Sequence, residues 1–381
     1  MNFKTMKTNY LQKKIFGYFD KKYQTALSWG FKLKKMNTIP TPELTPAQRK
    51  QIKDYWSPYF IRNDYFSFYN TLNPSSAGFD VRYMPGDLYY CYVDAWYNNS
   101  NTAKTLNDKN YYNMLFADVN QPKTIARRIN NIFLDKDYKP IAFDNIVDAV
   151  IAAKGVILKV SAHSSGGHGC FFWKEGESRD NLIHLLKSQK NYILQELIQQ
   201  HEQMNRLHAE SINTIRIISF LRNGELKILS SIVRMGVGNS CVDNISSGGV
   251  FCGIDENGRL KKYAYTYLAK ARFEQHPTTG VTFEGFPIPG IDKCKKVVND
   301  LAWRISKDNQ LLSWDFAIDK DGNPIFIEVN MSDGGLGIHQ MTNGPIFGDD
   351  VKAIVDEVFN SRGKRLLQKL FFYRCKIRMK K

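Results

Sequence analysis

The sequence predicts a mixed α+β fold. Strand-like and helix-like segments alternate from about residue 143 onward, and two Asx-Gly dipeptides, Asn223-Gly224 and Asp321-Gly322, each stand between runs typical of β-strands. Such dipeptides are the strongest short-range signal of a β-hairpin. Because hairpins connect these strands instead of a regular series of strand–helix–strand crossovers, we expect antiparallel sheets.

The N-terminal region is predicted to be helical. Thr45 and Pro46 have the residue types of an N-cap and of a first helical position, and helical character continues to about Tyr69. Asp108 is expected to cap a second helix, which extends to Val119. We therefore expect helices ahead of the sheets.

The remaining elements follow along the chain. With 381 residues, the chain is long enough for two or three structural units. A glycine-rich loop separates the first two predicted strands. The predicted elements are helix 143–153, strand 155–160, strand 170–173, helix 179–190, strand 192–197, a hairpin over 211–235, helix 291–307, a hairpin over 311–330 and helix 348–360.

The charge of the chain is concentrated at its two ends. The formal net charge is +16. Residues 1–35 carry nine lysines and one acid, and residues 364–381 carry eight Lys or Arg and no acid, so residues 36–363 are electroneutral. A nucleic-acid-binding protein is expected to carry positive charge on its folded body, so we expect no nucleic acid. The basic ends suit an anionic membrane surface, with a solvated tail as the alternative.

Several other classes of protein are excluded by composition. The sequence contains no run of about 20 apolar residues, which a membrane-spanning helix would need. Lysines interrupt the first residues, so we expect no signal peptide. The six cysteines include no CxxC pair, which argues against a zinc site and a disulfide framework. The predicted location is cytoplasmic, or peripheral on the inner face of the membrane if the basic ends bind lipid.

The hairpin over 311–330 carries the most informative pattern. With the Asp-Gly dipeptide at its turn, Asp315 faces Glu328 and Ser313 faces Asn330. Two opposed carboxylates repel each other, and two carboxylates beside an amide oxygen are ligands typical of Mg²⁺. A solvent-facing polar side is the alternative. The other face is expected to pack in the core, since it carries only apolar residues: Trp314, Phe316, Ile318, Ile325, Ile327 and Val329.

A lysine and a glycine-rich loop form a second pattern. Lys159 ends a buried strand, and Ser165, Gly166 and Gly167 lie in the loop that follows. Backbone N–H groups of such a loop can approach phosphate oxygens closely, while the lysine supplies a positive charge. The loop lacks the GxxxxGK[ST] pattern and leads to a strand, so it is not a Walker A loop. An ordinary flexible hairpin loop is the alternative.

Two arginines and an apolar strand complete the set. Burial of Arg216 and Arg234 on the strands of the first hairpin costs solvation free energy unless anions bind them. The anion could belong to a substrate, which gives the arginines a catalytic role, or to an acidic side chain, which gives a structural ion pair. A two-residue turn alone places the two arginines on opposite faces, whereas one bulge residue places them together; the sequence leaves both arrangements open. The strand with Gln195 and Glu196 could offer groups to an adenine edge, or be a plain edge strand.

In this order, the patterns resemble the ATP-grasp superfamily. The segments DGNPIFIEVN and NISSGG are most similar to sugar-transfer-associated ATP-grasp proteins and to ribosomal-protein glutamate ligases, over about residues 105–345. The resemblance implies two α+β subdomains that clamp ATP. The implied divisions are a basic arm and linker (1–45), an N-terminal domain (46–122), ATP-grasp subdomain 1 (123–205), ATP-grasp subdomain 2 (206–362) and a basic tail (363–381).

The resemblance also implies a role for each candidate residue. Those implied to bind ATP are Lys109, Lys159, Ser165, Gly166, Gly167, Gln195, Glu196 and Ile198. Those implied to hold two Mg²⁺ ions are Asp315, Glu328 and Asn330. Those implied to meet the transferred phosphate or the activated acyl group are Arg216, Arg234 and Asn244. The chain departs from the D-alanine ligase branch at Ser313, where that branch has an arginine.

The implied activity is that of an ATP- and Mg²⁺-dependent carboxylate–amine ligase that forms an acyl phosphate. The family name implies bacterial surface polysaccharide biosynthesis, with an amino acid joined to a sugar carboxylate. Two alternatives stay open: a kinase that phosphorylates a hydroxyl, and a non-catalytic glycan-binding module. The loop over 276–290 is expected to shape the acceptor pocket, with His276 as a contact; an inert surface loop is the alternative.

Overall fold

The computed structural model describes residues 44–56, 78–99, 102–103, 106–162, 169–266, 271–305, 308–332 and 334–360. The predictions for the basic arm, for the helix beyond Trp56 and for the basic tail lie outside the described residues. The chain divides into two compact units, one with residues 98–267 and 272–334, the other with the remainder. The domain limits expected from the sequence stay a prediction.

The helices lie mostly where the sequence predicts them. A π-helical turn, Tyr89–Val93, separates the second and third helices, and 3₁₀ turns cover Lys109–Tyr111, Ile245–Ser247 and Gly348–Asp350. The named helices are α1 (Pro46–Trp56), α2 (Gly86–Leu88), α3 (Asp94–Tyr97), α4 (Tyr112–Leu115), α5 (Phe143–Ala153), α6 (Arg179–Ser188), α7 (Glu202–Leu207), α8 (Ile291–Ile305), α9 (Leu336–Asn343) and α10 (Val351–Asn360).

The larger unit contains two antiparallel sheets. Among the described residues, the first has the strand order β2-β1-β5-β3-β4, and the second has the order β10-β9-β8-β7-β6-β11-β12. The strands are β1 (Thr124–Ile129), β2 (Ile132–Asp135), β3 (Gly155–Val160), β4 (Cys170–Lys174), β5 (Tyr192–Glu196), β6 (Thr214–Arg222), β7 (Glu225–Met235), β8 (Val250–Ile254), β9 (Leu260–Thr266), β10 (Arg272–Phe273), β11 (Leu311–Ile318) and β12 (Pro324–Asn330).

Each sheet packs one apolar face against helices. In the first sheet, α5 buries Ile146, Val147 and Val150, which lie on one helical face, in a core shared with α6 and with β3. In the second sheet, α8 has a buried stripe that includes Cys294 and Val298 and packs against β6 and β11. The opposite face of the second sheet carries the polar side chains of the candidate site.

The smaller unit is held by polar contacts between distant segments. Thr45 caps α1 as predicted, since its Oγ1 accepts a hydrogen bond from the backbone N–H of Gln48 while the Gln48 side chain accepts one from the Thr45 N–H. The Gln340 amide bonds both the N–H and the carbonyl of Met84, at 2.9 and 3.0 Å. These contacts tie α9 to the segment that precedes α2.

The helix predicted over 108–119 is shorter than expected. Asp108 caps the turn as predicted, because its carboxylate accepts a hydrogen bond from the Asn110 N–H at 2.9 Å. The helix then ends early because the Gln121 amide donates to the carbonyls of Tyr112 and Phe116, at 3.3 and 2.6 Å. A side chain from beyond the helix thus bonds carbonyls at its C-terminal end, and of these the Phe116 carbonyl is one that another helical turn would have used.

Among the described residues, the hairpins of β1 with β2 and of β8 with β9 were not predicted, although both have a turn signal in the sequence. β1 and β2 join at Asn130 and Asn131, whose φ angles of 49° and 68° lie in the left-handed region. Asparagine tolerates that region better than other side chains do, so the Asn-Asn dipeptide between two apolar runs was a turn signal. The hairpin of β8 and β9 carries Asn257-Gly258 near its turn.

The apolar face of the β11–β12 hairpin differs from the prediction at Ile325 and Ile327, which the observed register takes off the face of Phe316 and Ile318. The pairing skips Ile327, so that Phe316 lies opposite Phe326 while Asp315 still lies opposite Glu328. Phe326 therefore packs in the core, and Ile327 is only half-buried. A β-bulge is the physical reason, because one additional residue changes the face of every side chain beyond it.

The turn of the β6–β7 hairpin provides a test of this fold. Gly224 has a φ of +77° and Asn223 a φ of +54°. We expect Gly224→Ala to lower the free energy of unfolding by about 1–2 kcal/mol, because an L side chain is strained there.

As the control in the same turn, Asn223→Gly is expected to change the free energy of unfolding by less than about 0.5 kcal/mol, since Gly-Gly suits the same turn type. Urea unfolding followed by tryptophan fluorescence measures both variants. Equal losses in the two variants would contradict the left-handed turn.

Candidate active site

The two predicted carboxylates face each other on adjacent strands. Asp315 on β11 lies directly opposite Glu328 on β12, and Ser313 lies opposite Asn330. Only 1% of the Asp315 side chain is exposed, compared with 25% of Glu328. The register predicted from the Asp-Gly turn is confirmed for these four residues.

A one-residue bulge brings both arginines to the same carboxylate. The β6–β7 hairpin has the predicted two-residue turn, but its pairing skips Leu229, so Arg216 and Arg234 share a face. Arg216 donates from Nε and Nη2 to the two oxygens of Asp315, at 2.7 and 2.6 Å. Arg234 donates from Nη2 to Asp315 Oδ2 at 3.2 Å. Of the two arrangements left open by the sequence, the structure has the one with a bulge.

These arginines determine the charge state of Asp315. Burial alone would raise the pKa of Asp315, but the positive charges of Arg216 and Arg234 outweigh burial and hold its pKa below the ordinary value. The same ion pair raises the pKa of Arg216 despite the burial of its guanidinium. Asp315 and Arg216, which with Arg234 form the arginine–aspartate row, are therefore both charged at neutral pH.

Lys109 neutralises the second carboxylate. Its Nζ lies 2.9 Å from Glu328 Oε2, and its backbone N–H donates to the carbonyl of Ser161 at 2.9 Å. Burial would lower the pKa of Lys109, but the contact with Glu328 raises the pKa above its ordinary value. Lys109 thus lies at the carboxylate pair although it is far from both carboxylates in sequence.

The turn that carries Lys109 is held by a buried arginine. Arg127 on β1 has no exposed surface, and its carbon Cζ lies 4.1 Å from the centre of the Tyr138 ring. Its donors bond oxygen atoms of neutral groups, namely the carbonyls of Asn110 (3.1 Å), Asp135 (3.0 Å) and Lys136 (2.7 Å) and the side chain of Asn113. Because Asn110 follows Lys109 directly, this arginine fixes the backbone from which Lys109 reaches Glu328.

Lys159 lies near the same carboxylate. It is the last residue but one of β3, the strand predicted before the glycine-rich loop, and lies opposite Cys170. Burial lowers the pKa of Lys159, and the positive charge of Lys109 lowers it further, while Cys170 and Glu328 act in the opposite direction. Ser165, Gly166 and Gly167 lie outside the described residues, so their predicted role in phosphate binding stays a prediction.

Two of the three residues predicted to hold adenine have protein partners in the structure. Gln195 Nε2 donates to the carbonyl of Pro122 at 3.4 Å, and Glu196 Oε1 lies 2.6 Å from Lys123 Nζ. Ile198 is half-buried just after β5. None of the three has a described contact with the carboxylate pair, and their predicted contact with adenine stays a prediction.

Asn244 is not joined to the arginines by a described hydrogen bond, whereas its neighbour in sequence, Asp243, forms an ion pair with Arg234. The Asn244 carbonyl accepts hydrogen bonds from the N–H groups of Ser247 and Gly249, at 3.0 and 3.1 Å. Asp243 lies 3.3 Å from Arg234 Nε through its Oδ2. Asp243 was not among the predicted residues, although an acid beside the predicted Asn-x-x-x-Gly-Gly loop was the available signal.

The prediction that His276 contacts an acceptor substrate is wrong. The side chain is buried, its Nε2 lies 2.9 Å from the carbonyl oxygen of Gly236, and its Nδ1 accepts hydrogen bonds from the N–H groups of Thr278 and Thr279. Burial lowers the pKa of His276. The ring therefore supports the loop that follows β7.

Comparison with known proteins identifies the family. A family model described as sugar-transfer associated ATP-grasp matches residues 92–355, which is more than half of the chain. The chain belongs to this family. The ATP-grasp resemblance and the predicted α+β ATP-grasp fold are confirmed. Proteins of the ATP-grasp superfamily are ATP-dependent carboxylate–amine ligases that use ATP and Mg²⁺.

Individual solved structures are more distant from this ATP-grasp chain. D-alanyl-alanine synthetase A from Vibrio cholerae O1 biovar eltor is 14% identical, with 71% of this chain and 68% of that chain covered and a TM-score of 0.39. D-alanine–D-alanine ligase from Bacillus anthracis is 15% identical, with 71% and 72% covered and a TM-score of 0.38.

The L-amino acid ligase from Bacillus licheniformis is 15% identical, with 63% of this chain and 43% of that chain covered and a TM-score of 0.34. The ATP-grasp chain thus spans less than half of that ligase. No curated protein sequence matches the chain.

The donor set of this ATP-grasp site fits Mg²⁺. Asp315, Glu328 and Asn330 supply the carboxylate and amide oxygens that a hard cation prefers. Ser313 Oγ is buried without a hydrogen-bond partner, which indicates an oxygen that the protein itself does not use; Asn330 Nδ2 also lacks a partner, but it can only donate a hydrogen bond. Within the described ranges, no group of three or more His, Cys, Asp or Glu residues could hold a metal ion. A site here would therefore depend on the amide as well as on the two carboxylates.

The arginine–aspartate row of the ATP-grasp site predicts a pH dependence. Because the folded-state pKa of Asp315 is lowered, its ion pairs contribute stability above the unfolded-state pKa of about 4, and this stability is lost as pH falls through the folded-state value. We expect Asp315→Asn to cost about 3–5 kcal/mol at neutral pH, since two buried arginines lose their anion. We also expect the variant to lose less stability than the wild type does below about pH 4.

Urea unfolding across this pH range measures both effects. Asp321→Asn, in the exposed turn of the same hairpin, is the matched control and is expected to follow the wild type. An Asp315→Asn variant whose stability falls with acid as steeply as the wild type would contradict this account of the row.

Proposed function

We propose that the protein is an ATP- and Mg²⁺-dependent carboxylate–amine ligase. The observation that carries this proposal is the row of opposed charges in which Arg216 and Arg234 meet Asp315, and Lys109 meets the facing Glu328. Such a row supplies anionic oxygens for a cation and cations for phosphate oxygens within one face of a sheet. The proposed chemistry needs both.

The proposed reaction has two steps. An oxygen of the carboxylate substrate attacks the γ-phosphorus of ATP, ADP leaves, and an acyl phosphate forms. The nitrogen of the amine then attacks the acyl carbon, inorganic phosphate leaves, and the nitrogen loses a proton. Neither step needs a covalent nucleophile from the protein, so positioning and charge neutralisation are the tasks of the site.

Each group of side chains has a proposed task. Asp315, Glu328 and Asn330 would hold Mg²⁺, which neutralises phosphate charge when it is bound. Lys109 and Lys159 would bind phosphate oxygens. An incoming phosphate favours the charged form of Lys159, whose pKa is lowered by burial, so phosphate binding and protonation of this lysine would be coupled.

The proposed substrates are an amino acid, as the amine, and a sugar-linked carboxylate. Only the family description supports this assignment, because it associates the family with sugar transfer. On the same basis we assign the protein to bacterial surface polysaccharide biosynthesis. The substrates are thus proposed from the family, whereas the reaction type is proposed from the side chains.

Product analysis tests the reaction type. Purified protein is incubated with MgATP and with pairs drawn from a panel of uronic acids and amino acids. A ligase releases ADP and an equal amount of inorganic phosphate only when both partners are present. Phosphate retained on a product would overturn the proposal in favour of a kinase, and the absence of any turnover would favour a non-catalytic binding module.

Removal of one carboxylate charge tests the site. We expect Glu328→Gln to lower turnover by at least about 100-fold, because a neutral amide cannot balance the charge of Lys109 and of a bound Mg²⁺. Since Glu328 is partly exposed, the thermal midpoint should change little. Glu256→Gln, in an exposed turn, is the control, and turnover above about one tenth of the wild-type rate in Glu328→Gln would contradict the assignment.

We also propose that the basic ends bind the cytoplasmic membrane surface. Residues 364–381 interleave eight Lys or Arg with Leu, Phe and Ile, a composition suited to anionic headgroups. In the described part of the chain, no helix is both long and apolar enough to span a bilayer. The proposed association is therefore peripheral.

Vesicle sedimentation tests the membrane proposal. The full chain should sediment with phosphatidylglycerol vesicles but not with phosphatidylcholine vesicles, and high salt should release it. Deletion of residues 364–381 should weaken sedimentation at least about tenfold, in line with roughly 1 kcal/mol for each base. Unchanged sedimentation of the shortened chain would contradict the proposal.

A further inference from the structure

Thr214 lies at the centre of a polar network beside the arginine–aspartate row. Its Oγ1 accepts hydrogen bonds from Arg234 Nε at 2.9 Å and from Arg234 Nη2 at 2.7 Å, and it donates to a carboxylate oxygen of Asp243. A hydroxyl has one proton and two lone pairs, so these three bonds use its full capacity. The hydroxyl therefore holds one orientation, and it fixes one edge of the Arg234 guanidinium.

The network leaves the other edge of Arg234 available. Nε and Nη2 are occupied by Thr214, Asp243 and Asp315, whereas Nη1 has no hydrogen-bond partner among the described residues. The guanidinium is planar, so two fixed nitrogens also determine where the third one points. Arg234 can thus bind an additional anion without giving up its present contacts.

The residues of the network are buried enough for these bonds to matter. Thr214, Arg234 and Asp243 are each less than one tenth exposed, at 5%, 9% and 7%. At this burial a guanidinium or carboxylate without a partner is costly in free energy, so the geometry of the network depends on the presence of all three side chains. An apolar side chain at position 214 would remove the link between the aspartate and the arginine.

The loop with the NISSGG sequence places Asp243 in this network. Gly248 has a φ of +102°, which reverses the chain after the 3₁₀ turn. A Cβ at Gly249 would lie 2.6 Å from the carbonyl oxygen of Asp243 and 2.8 Å from that of Met235. Only glycine allows this approach, so the Gly-Gly pair brings Asp243 back against the end of β7, next to Arg234.

We propose that Thr214 and Asp243 are positioning residues that aim the Nη1 edge of Arg234 at the phosphoryl group released from ATP. This inference rests on the proposed function and assigns a role to two residues that lie outside the predicted metal and nucleotide sets. Asp243 holds Thr214, Thr214 holds Arg234, and Arg234 meets the phosphate. The NISSGG loop is then a support for an arginine, and its glycines have a conformational role.

Phosphate binding provides a test that does not require turnover. Calorimetry measures the affinity of each variant for MgADP and, in the presence of MgADP, for inorganic phosphate. We expect Thr214→Val and Asp243→Asn to weaken phosphate binding about tenfold while MgADP binding stays within about threefold of the wild type. Thr214→Ser, which keeps the hydroxyl, should bind phosphate as the wild type does.

Ser219→Ala is the matched control on the same strand. Ser219 is also fully buried, and its Oγ accepts a hydrogen bond from Trp314 Nε1 at 2.8 Å on the opposite, core-facing side. We expect this variant to lose stability as Thr214→Val does and to retain phosphate affinity. A role of Thr214 in stability alone would make both variants behave alike, and that result would overturn the proposal.

Kinetics separate this inference from the proposed function. If the ligase reaction is found, Thr214→Val should lower kcat by about 10- to 100-fold with KM for ATP changed less than about threefold. If no turnover is found with any substrate pair, the proposed function fails, and the phosphate measurements still decide the role of Thr214. A wild-type protein that binds no phosphate beside MgADP would overturn the positioning role.

Discussion

The bidentate ion pair between Arg216 and Asp315 is the interaction on which the candidate site depends. Asp315 is almost fully buried, and a buried carboxylate without a cation would cost several kcal/mol. Arg234 joins the same carboxylate from β7, and Glu328 faces it from β12, so one ion pair lies at the centre of four neighbouring strands. Lys109 then balances the charge on the Glu328 side. The row is stable because each of its two carboxylates has a cation within hydrogen-bond distance.

Local rules were sufficient for part of this arrangement. The Asp-Gly turn and the alternation of side chains predicted that Asp315 faces Glu328, and the Asn-Gly turn was also predicted correctly. The same rules did not decide whether Arg216 and Arg234 lie on one face of the sheet, because this depends on whether the strand pairing skips Leu229. A bulge at a leucine has no signature in residue type, since it results from packing across several strands.

The parts that could not be predicted are contacts between distant segments. In the sequence, Thr214 is an ordinary strand residue. Its contacts with Arg234 and Asp243 exist only in the fold, which places β7 and the loop with Asp243 beside it. Arg127 likewise was not singled out from the sequence, but the structure buries it among carbonyl oxygens. Buried polar groups must find partners, and the partners come from wherever the fold brings oxygen atoms close, which a single sequence does not record.

The bulge at Leu229 determines which changes the second sheet tolerates. Because side chains alternate along a strand, the number of residues between the turn and Arg234 decides which face receives the guanidinium. Substitutions in β7 alter packing but keep that number. A change of strand length by one residue would have to be matched by the gain or loss of a bulge: without Leu229, for example, β7 would pair in regular register and Arg234 would still lie opposite Thr214. Strand length and the bulge therefore vary together in this hairpin, and composition is freer to vary than either.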